Sequence, residues 1–117
     1  MLIAVAHGSR NPVWRASVER FIESIQDDLP QDGLRLAYME FAQPTLRDVV
    51  SDVVRQGITK VRILPLFLAS EGHVNKDIRP LVEQIRIAFS SLEVELLPPL
   101  GEQPRFRDML RDIVTET

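Results

Sequence analysis

The sequence predicts a single α/β domain over residues 1–117, a four-stranded parallel sheet in the order 2-1-3-4 with helices on both faces. Three observations carry this. Strand-like and helix-like segments alternate four times, the pattern of parallel strands joined by crossover helices. The first strand segment, and the third from Ile63 on, are apolar on both faces, as central strands are, whereas the second and fourth carry charges, as edges do. The length of 117 residues, with 44% hydrophobic and 26% charged residues, is one globular domain's worth of chain. Right-handed crossovers then select the order 2-1-3-4.

The first strand is Leu2 to Ala6. Asn11-Pro12 reads as an N-cap followed by proline at N1, and Trp14, Val18, Phe21, Ile22, Ile25 and Leu29 follow at helical spacing as a core face. Pro30 and Gly33 end this helix. The second strand runs from Leu34 to about Glu40, with Arg35 marking it as an edge. Thr45 and Asp48 form a capping box for helix two, whose buried stripe is Leu46, Val49, Val50, Val53 and Val54, and Gly57 terminates it. The third strand spans Lys60 to Phe67. Helix three starts with Asp77 as N-cap and Pro80 at N3, and buries Ile78, Leu81, Val82, Ile85 and Phe89. The fourth strand, Leu92 to Leu97, alternates charged and apolar residues. Helix four begins near Pro104 and carries Phe106, Met109, Leu110, Ile113 and Val114 as its core stripe.

Composition excludes several function classes. A net charge of −3 and a pI of about 5.4 argue against a nucleic-acid-binding surface. The absence of cysteine removes disulfide scaffolds, thiolate metal sites and cysteine nucleophiles together. The apolar opening Met1–Ala6 stops at His7, too short for a signal sequence, and no stretch approaches the ~20 apolar residues of a membrane span. The reading is a soluble, cytoplasmic protein.

The chain has only two histidines, and each directly follows a central strand. His7 stands in Ala6-His7-Gly8-Ser9-Arg10 and His73 in Ser70-Glu71-Gly72-His73-Val74. The order 2-1-3-4 reverses direction between strands one and three, and ligands of open α/β sheets bind at such a switch point, beyond the strands' carboxyl ends. Glu40 ends strand two on the same rim. Structural roles stand beside the functional ones: a hydrogen-bonded loop histidine, a carboxylate at a helix N-terminus, Arg10 paired with an acid, Lys76 and Arg79 on a solvated first turn. Two imidazoles and a carboxylate suit a divalent first-row metal held with open positions, and imidazole also accepts protons near neutral pH.

Three segments resemble the small form of the sirohydrochlorin chelatases, the CbiX/SirB type of class II chelatase. They are His7-Gly8-Ser9-Arg10, Tyr38-Met39-Glu40-Phe41-Ala42-Gln43-Pro44-Thr45-Leu46, and Leu64-Pro65-Leu66-Phe67-Leu68-Ala69-Ser70-Glu71-Gly72-His73-Val74-Asn75-Lys76-Asp77-Ile78. The resemblance implies a chelatase or flavodoxin-like sheet and insertion of divalent cobalt, iron or nickel into sirohydrochlorin, for cobalamin, siroheme or a related cofactor. It implies His7 and His73 as metal ligands and proton acceptors and Glu40 as a helper. It implies no organic cofactor, and a homodimer at this length. Sirohydrochlorin is a polycarboxylate, so Ser9, Arg10, Gly72, Lys76 and Arg79, in the loops around the histidines, are the candidate substrate contacts. In the family, proline usually follows Asp-Ile directly. Here Arg79 intervenes before Pro80, which shifts the first turn of helix three by a residue.

Two other readings use the same residues. A non-catalytic metal or tetrapyrrole carrier would share the site and lack turnover. A histidine phosphatase also places His-Gly after a strand, but wants arginine before the histidine, where this chain has Ala6.

Overall fold

The computed structural model describes residues 1–30, 33–68 and 74–116. The elements follow in the expected order: β1 (Leu2–Ala6), α1 (Pro12–Gln26), β2 (Leu34–Tyr38), α2 (Leu46–Arg55), β3 (Lys60–Pro65), α3 (Arg79–Ala88), β4 (Glu93–Leu96) and α4 (Pro104–Thr115). All three strand pairings are parallel and the sheet order is β2-β1-β3-β4. Among the described residues no helix is long and apolar enough to cross a membrane.

Local chemistry explains the helix starts. The Asn11 side chain accepts from the Val13 N–H, with Pro12 as the first residue of α1. Thr45 Oγ1 accepts from the Asp48 N–H and Asp48 returns the bond to the Thr45 N–H, the reciprocal capping box the sequence predicts. Helix three departs from expectation. A π-helical turn over Val74–Ile78 leads directly into α3, so the N-cap of α3 is Ile78 rather than Asp77; Ile78 holds that position in helical conformation without a side-chain bond. A π turn closes i→i+5 rather than i→i+4. It absorbs an added residue, and this one sits just before Arg79.

The main core lies on one face of the sheet. Ile3, Val5, Val61 and Ile63 pack there against Leu46, Val50 and Val53 of α2 and Val82 and Ile85 of α3. Arg35 of edge strand β2 reaches Asp52 of α2 at 2.8 Å, which satisfies the charge inside that strand. This guanidinium holds the Asp52 carboxyl below its ordinary value.

The opposite face is thinner than predicted. Its buried cluster is Ala4, Ile22 and Leu34. Of the expected α1 core face only Ile22 is buried, while Trp14, Phe21, Ile25 and Leu29 are exposed. α4 buries none of its residues. β3 is central, yet Lys60 and Arg62 are exposed and Leu64 is half-buried, because α1 lies over β1 and β2 and α4 does not cover the rest.

Candidate functional site

β1 delivers His7 to the carboxyl end of the sheet, and hydrogen bonds bind its loop to the one after β2. The Met39 N–H donates to the Ala6 carbonyl at 2.9 Å, and the Glu40 N–H donates to the His7 carbonyl at 3.1 Å. Sheet-like pairing therefore continues beyond both strands, up to the candidate residues themselves. Gly8 makes this possible. Its φ is +96°, and a Cβ there would lie 1.7 Å from the Glu40 carbonyl oxygen. Only glycine allows that approach.

The His7 ring is half-buried and stacks on Phe67, with centroids 4.4 Å apart and planes tilted by 33°. Phe67 is 6% exposed and belongs to the core. The imidazole is thus placed by a fixed ring at the end of the adjacent central strand, across the switch point.

Arg10 leans over the exposed Phe41 ring, its guanidinium carbon 4.7 Å from the ring centroid, rather than pairing with an acid there. Phe41 has φ +64°, a left-handed conformation uncommon outside glycine, asparagine and aspartate. The Ser9 hydroxyl accepts from the Asn11 N–H at 3.0 Å, and its carbonyl accepts from Arg15 at 2.6 Å. Ser9 therefore secures the turn into α1.

Glu40 is exposed and shares a cavity of about 460 Å³ with Lys76, Asp77 and Gln84. The structure brings Glu40 and Lys76 together. Arg79 instead lines a cavity of about 820 Å³ along β4, with Glu83, Arg86 and Glu95. His73 and Gly72, with Ser70 and Glu71, lie outside the described residues. Among the described residues no three metal-ligating side chains converge.

Behind the rim, Tyr38 is fully buried and its hydroxyl donates to Glu19 at 2.9 Å. Burial, and then this bond to a carboxylate, push the phenol up to about 12. Sequence reasoning missed Phe67 and Phe41 as site residues. The available signal was position: Phe67 ends the strand segment beside His7, and Phe41 follows Glu40.

Comparison with known proteins completes the description. A family model described as CbiX matches residues 1–117. The chloroplastic sirohydrochlorin ferrochelatase of Arabidopsis thaliana is 30% identical over 111 residues, covering 95% of this chain and 49% of that protein. The sirohydrochlorin ferrochelatase of Priestia megaterium is 28% identical, covering 99% of this chain and 44% of that protein. This chain thus spans about half the length of these two curated relatives. The sirohydrochlorin cobaltochelatase of Methanococcoides burtonii, 28% identical, is covered over 91% of its length, with 98% of this chain. Among solved structures, a putative cobalamin biosynthesis CbiX protein from Marinobacter aquaeolei superposes with a TM-score of 0.83 at 32% identity, covering 98% of this chain and 93% of that one.

Proposed function

The chain belongs to the CbiX family, and on that premise we propose that it inserts a divalent metal, cobalt, iron or nickel, into sirohydrochlorin. The observation that carries this is His7, an imidazole held at the switch point by the Phe67 ring and by two strand-like hydrogen bonds to the β2 loop. Relatives named as sirohydrochlorin ferrochelatases and cobaltochelatases support the substrate. In this reading residues 1–117 act as one chelatase unit in the cytoplasm, as a homodimer, with no organic cofactor. Family membership leaves no place for the phosphatase reading.

Insertion replaces two pyrrole N–H protons by the metal dication. Between them the neutral imidazoles of His7 and His73 would ligate the incoming metal with one nitrogen and accept the two departing protons in turn with another, passing them to solvent. The Glu40 carboxylate on the same rim favours the cation's approach. Arg10 and Lys76 face the substrate's carboxylates, with Ser9 and Gly72 shaping the loops and Arg79 contributing charge from the β4 side.

An anaerobic absorbance assay with sirohydrochlorin and each metal tests the proposal. His7→Ala and His73→Ala should each remove accelerated insertion while leaving far-UV circular dichroism and the unfolding midpoint near wild type. Wild-type turnover in both variants refutes the assignment. Binding without turnover in the unaltered protein identifies a carrier.

A further inference from the structure

Phe41 is placed against both of its own preferences. Its ring is 53% exposed, so burial returns little for its apolar area. Its backbone stands at φ +64°, where a residue with a Cβ is strained. Strain of this kind persists only where the surroundings impose it, and it gathers at ligand sites. Here the surroundings are closed on both sides. Before Phe41, the Met39 and Glu40 N–H groups bond to the Ala6 and His7 carbonyls; beyond it, the Pro44 carbonyl accepts from the Tyr38 N–H at 2.9 Å. The loop is pinned at both ends, and Phe41 stands between them.

Arg10 is pinned in the same manner on the opposing loop. On one side Arg15 holds the Ser9 carbonyl; on the other Asn11 bonds to the Ser9 hydroxyl and caps α1. The Arg10 backbone is thus fixed, and its side chain lies over the Phe41 ring, the guanidinium carbon 4.7 Å from the centroid. No ion pair or hydrogen bond among the described residues occupies its guanidinium. A cation over an aromatic ring is held through its charge, so the N–H donors are not consumed. A carboxylate accepts two such donors side by side, the bidentate arrangement that favours arginine over lysine.

We propose that Phe41 is a positioning residue, whose ring holds the Arg10 guanidinium at the rim to receive one peripheral carboxylate of the macrocycle. Arg10 touches the substrate, and Phe41 acts through Arg10. The ligand rests on the chelatase reading; the pair adds how that polycarboxylate is oriented. Both residues stand on the two loops that carry His7 and Glu40, joined by the Glu40 N–H bond to the His7 carbonyl. Gripping the edge of the macrocycle there also fixes where its nitrogens stand relative to the imidazole. A long arginine side chain ordered before the substrate arrives loses less freedom on binding, which is what the strained, exposed ring supplies.

Metal-free sirohydrochlorin titrated with the protein and followed by absorbance gives Kd without turnover. Phe41→Ala should weaken binding roughly 2–5-fold, the range of an exposed cation–π contact. Arg10→Ala should weaken it roughly 10-fold or more, as loss of a charged hydrogen bond does. The double variant should match Arg10→Ala alone, because the ring then has nothing to hold. Phe41→Tyr should restore binding and Phe41→Leu should not, since leucine keeps bulk without the ring's negative face. Phe41→Gly separates position from stability. Glycine accepts φ +64°, so its urea midpoint should not fall below that of Phe41→Ala, while binding weakens equally. In turnover KM should rise and kcat hold within about twofold. Losses that add in the double variant would show the ring touching the macrocycle by itself, and would overturn the positioning role. So would wild-type affinity in Phe41→Ala. A chain that binds with this coupling yet inserts no metal would refute the chelatase reading and leave the pair standing; normal insertion without the coupling would do the reverse.

Discussion

Gly8→Ala separates the clamp between the two site loops from every other feature of the fold. Gly8 has φ +96°, a region that costs an L-residue ~1–2 kcal/mol. The new Cβ would also stand 1.7 Å from the Glu40 carbonyl oxygen and 2.9 Å from its carbon, so the β2–α2 loop has to retreat. Retreat breaks the Glu40 N–H bond to His7 and strains that of Met39 to Ala6, each with a net value of ~1 kcal/mol. The expected loss is about 3 kcal/mol, on the order of 10–15 °C in Tm for a domain of this size. Gly57→Ala is the matched control. Its φ is +86° and a Cβ there meets nothing within 4 Å, so it carries the dihedral cost alone, ~1–2 kcal/mol. Urea unfolding followed by far-UV circular dichroism measures both. Equal losses in the two variants would mean that no collision occurs and that the loops are not clamped. A larger loss at Gly8 should come with slower metal insertion, since His7 belongs to the displaced loop.

Glu40→Gln keeps the shape of an exposed side chain while removing its charge, so insertion should slow less than in His7→Ala and stability should hold; a lost midpoint with unchanged rate would assign Glu40 a structural role. Asp52→Asn should lower stability at pH 7, because Arg35 holds the folded-state carboxyl below its ordinary 3.8. A depressed folded pKa contributes above the unfolded value and fades as pH falls, so the gap between wild type and variant should close below pH 3.8; a gap that persists to pH 2 contradicts the ion pair. Tyr38 works with the opposite sign. Its phenol is raised from 10.0 to about 12, so the unfolded chain ionises first and stability should fall as pH climbs past 10.0. Tyr38→Phe should lose ~1 kcal/mol at neutral pH with the Glu19 bond, and a urea titration of that variant should lack this alkaline slope.

Much of this protein is written locally. Asn11-Pro12 and Thr45 with Asp48 cap their helices through side chains within three residues, so the spacing alone specifies the bonds. The sheet order follows from the uninterrupted apolar runs of Leu2–Ala6 and of the chain from Ile63, against the charges in β2 and β4; Lys60 and Arg62 are tolerated in central β3 because the face they point to is left uncovered. The placement of His7 at the switch point follows from that order. Other features depend on partners distant in sequence. The Phe67 ring against His7, and Arg10 over Phe41, depend on how neighbouring loops end, and no periodicity encodes that. Asp77 has the chemistry of a cap, but the π turn before Arg79 had already wound the chain, so the cap position fell to Ile78. The stripes of α1 and α4 show the same limit. A repeat of 3.6 residues determines that a helix has an apolar face, and the sequence determined that much. Where that face is buried depends on the direction in which the preceding turn releases the helix. Here the Gly101 N–H bond to the Phe67 carbonyl, with the Gly101 backbone close against Leu68, sends α4 away from its own sheet, and only the tertiary structure decided that.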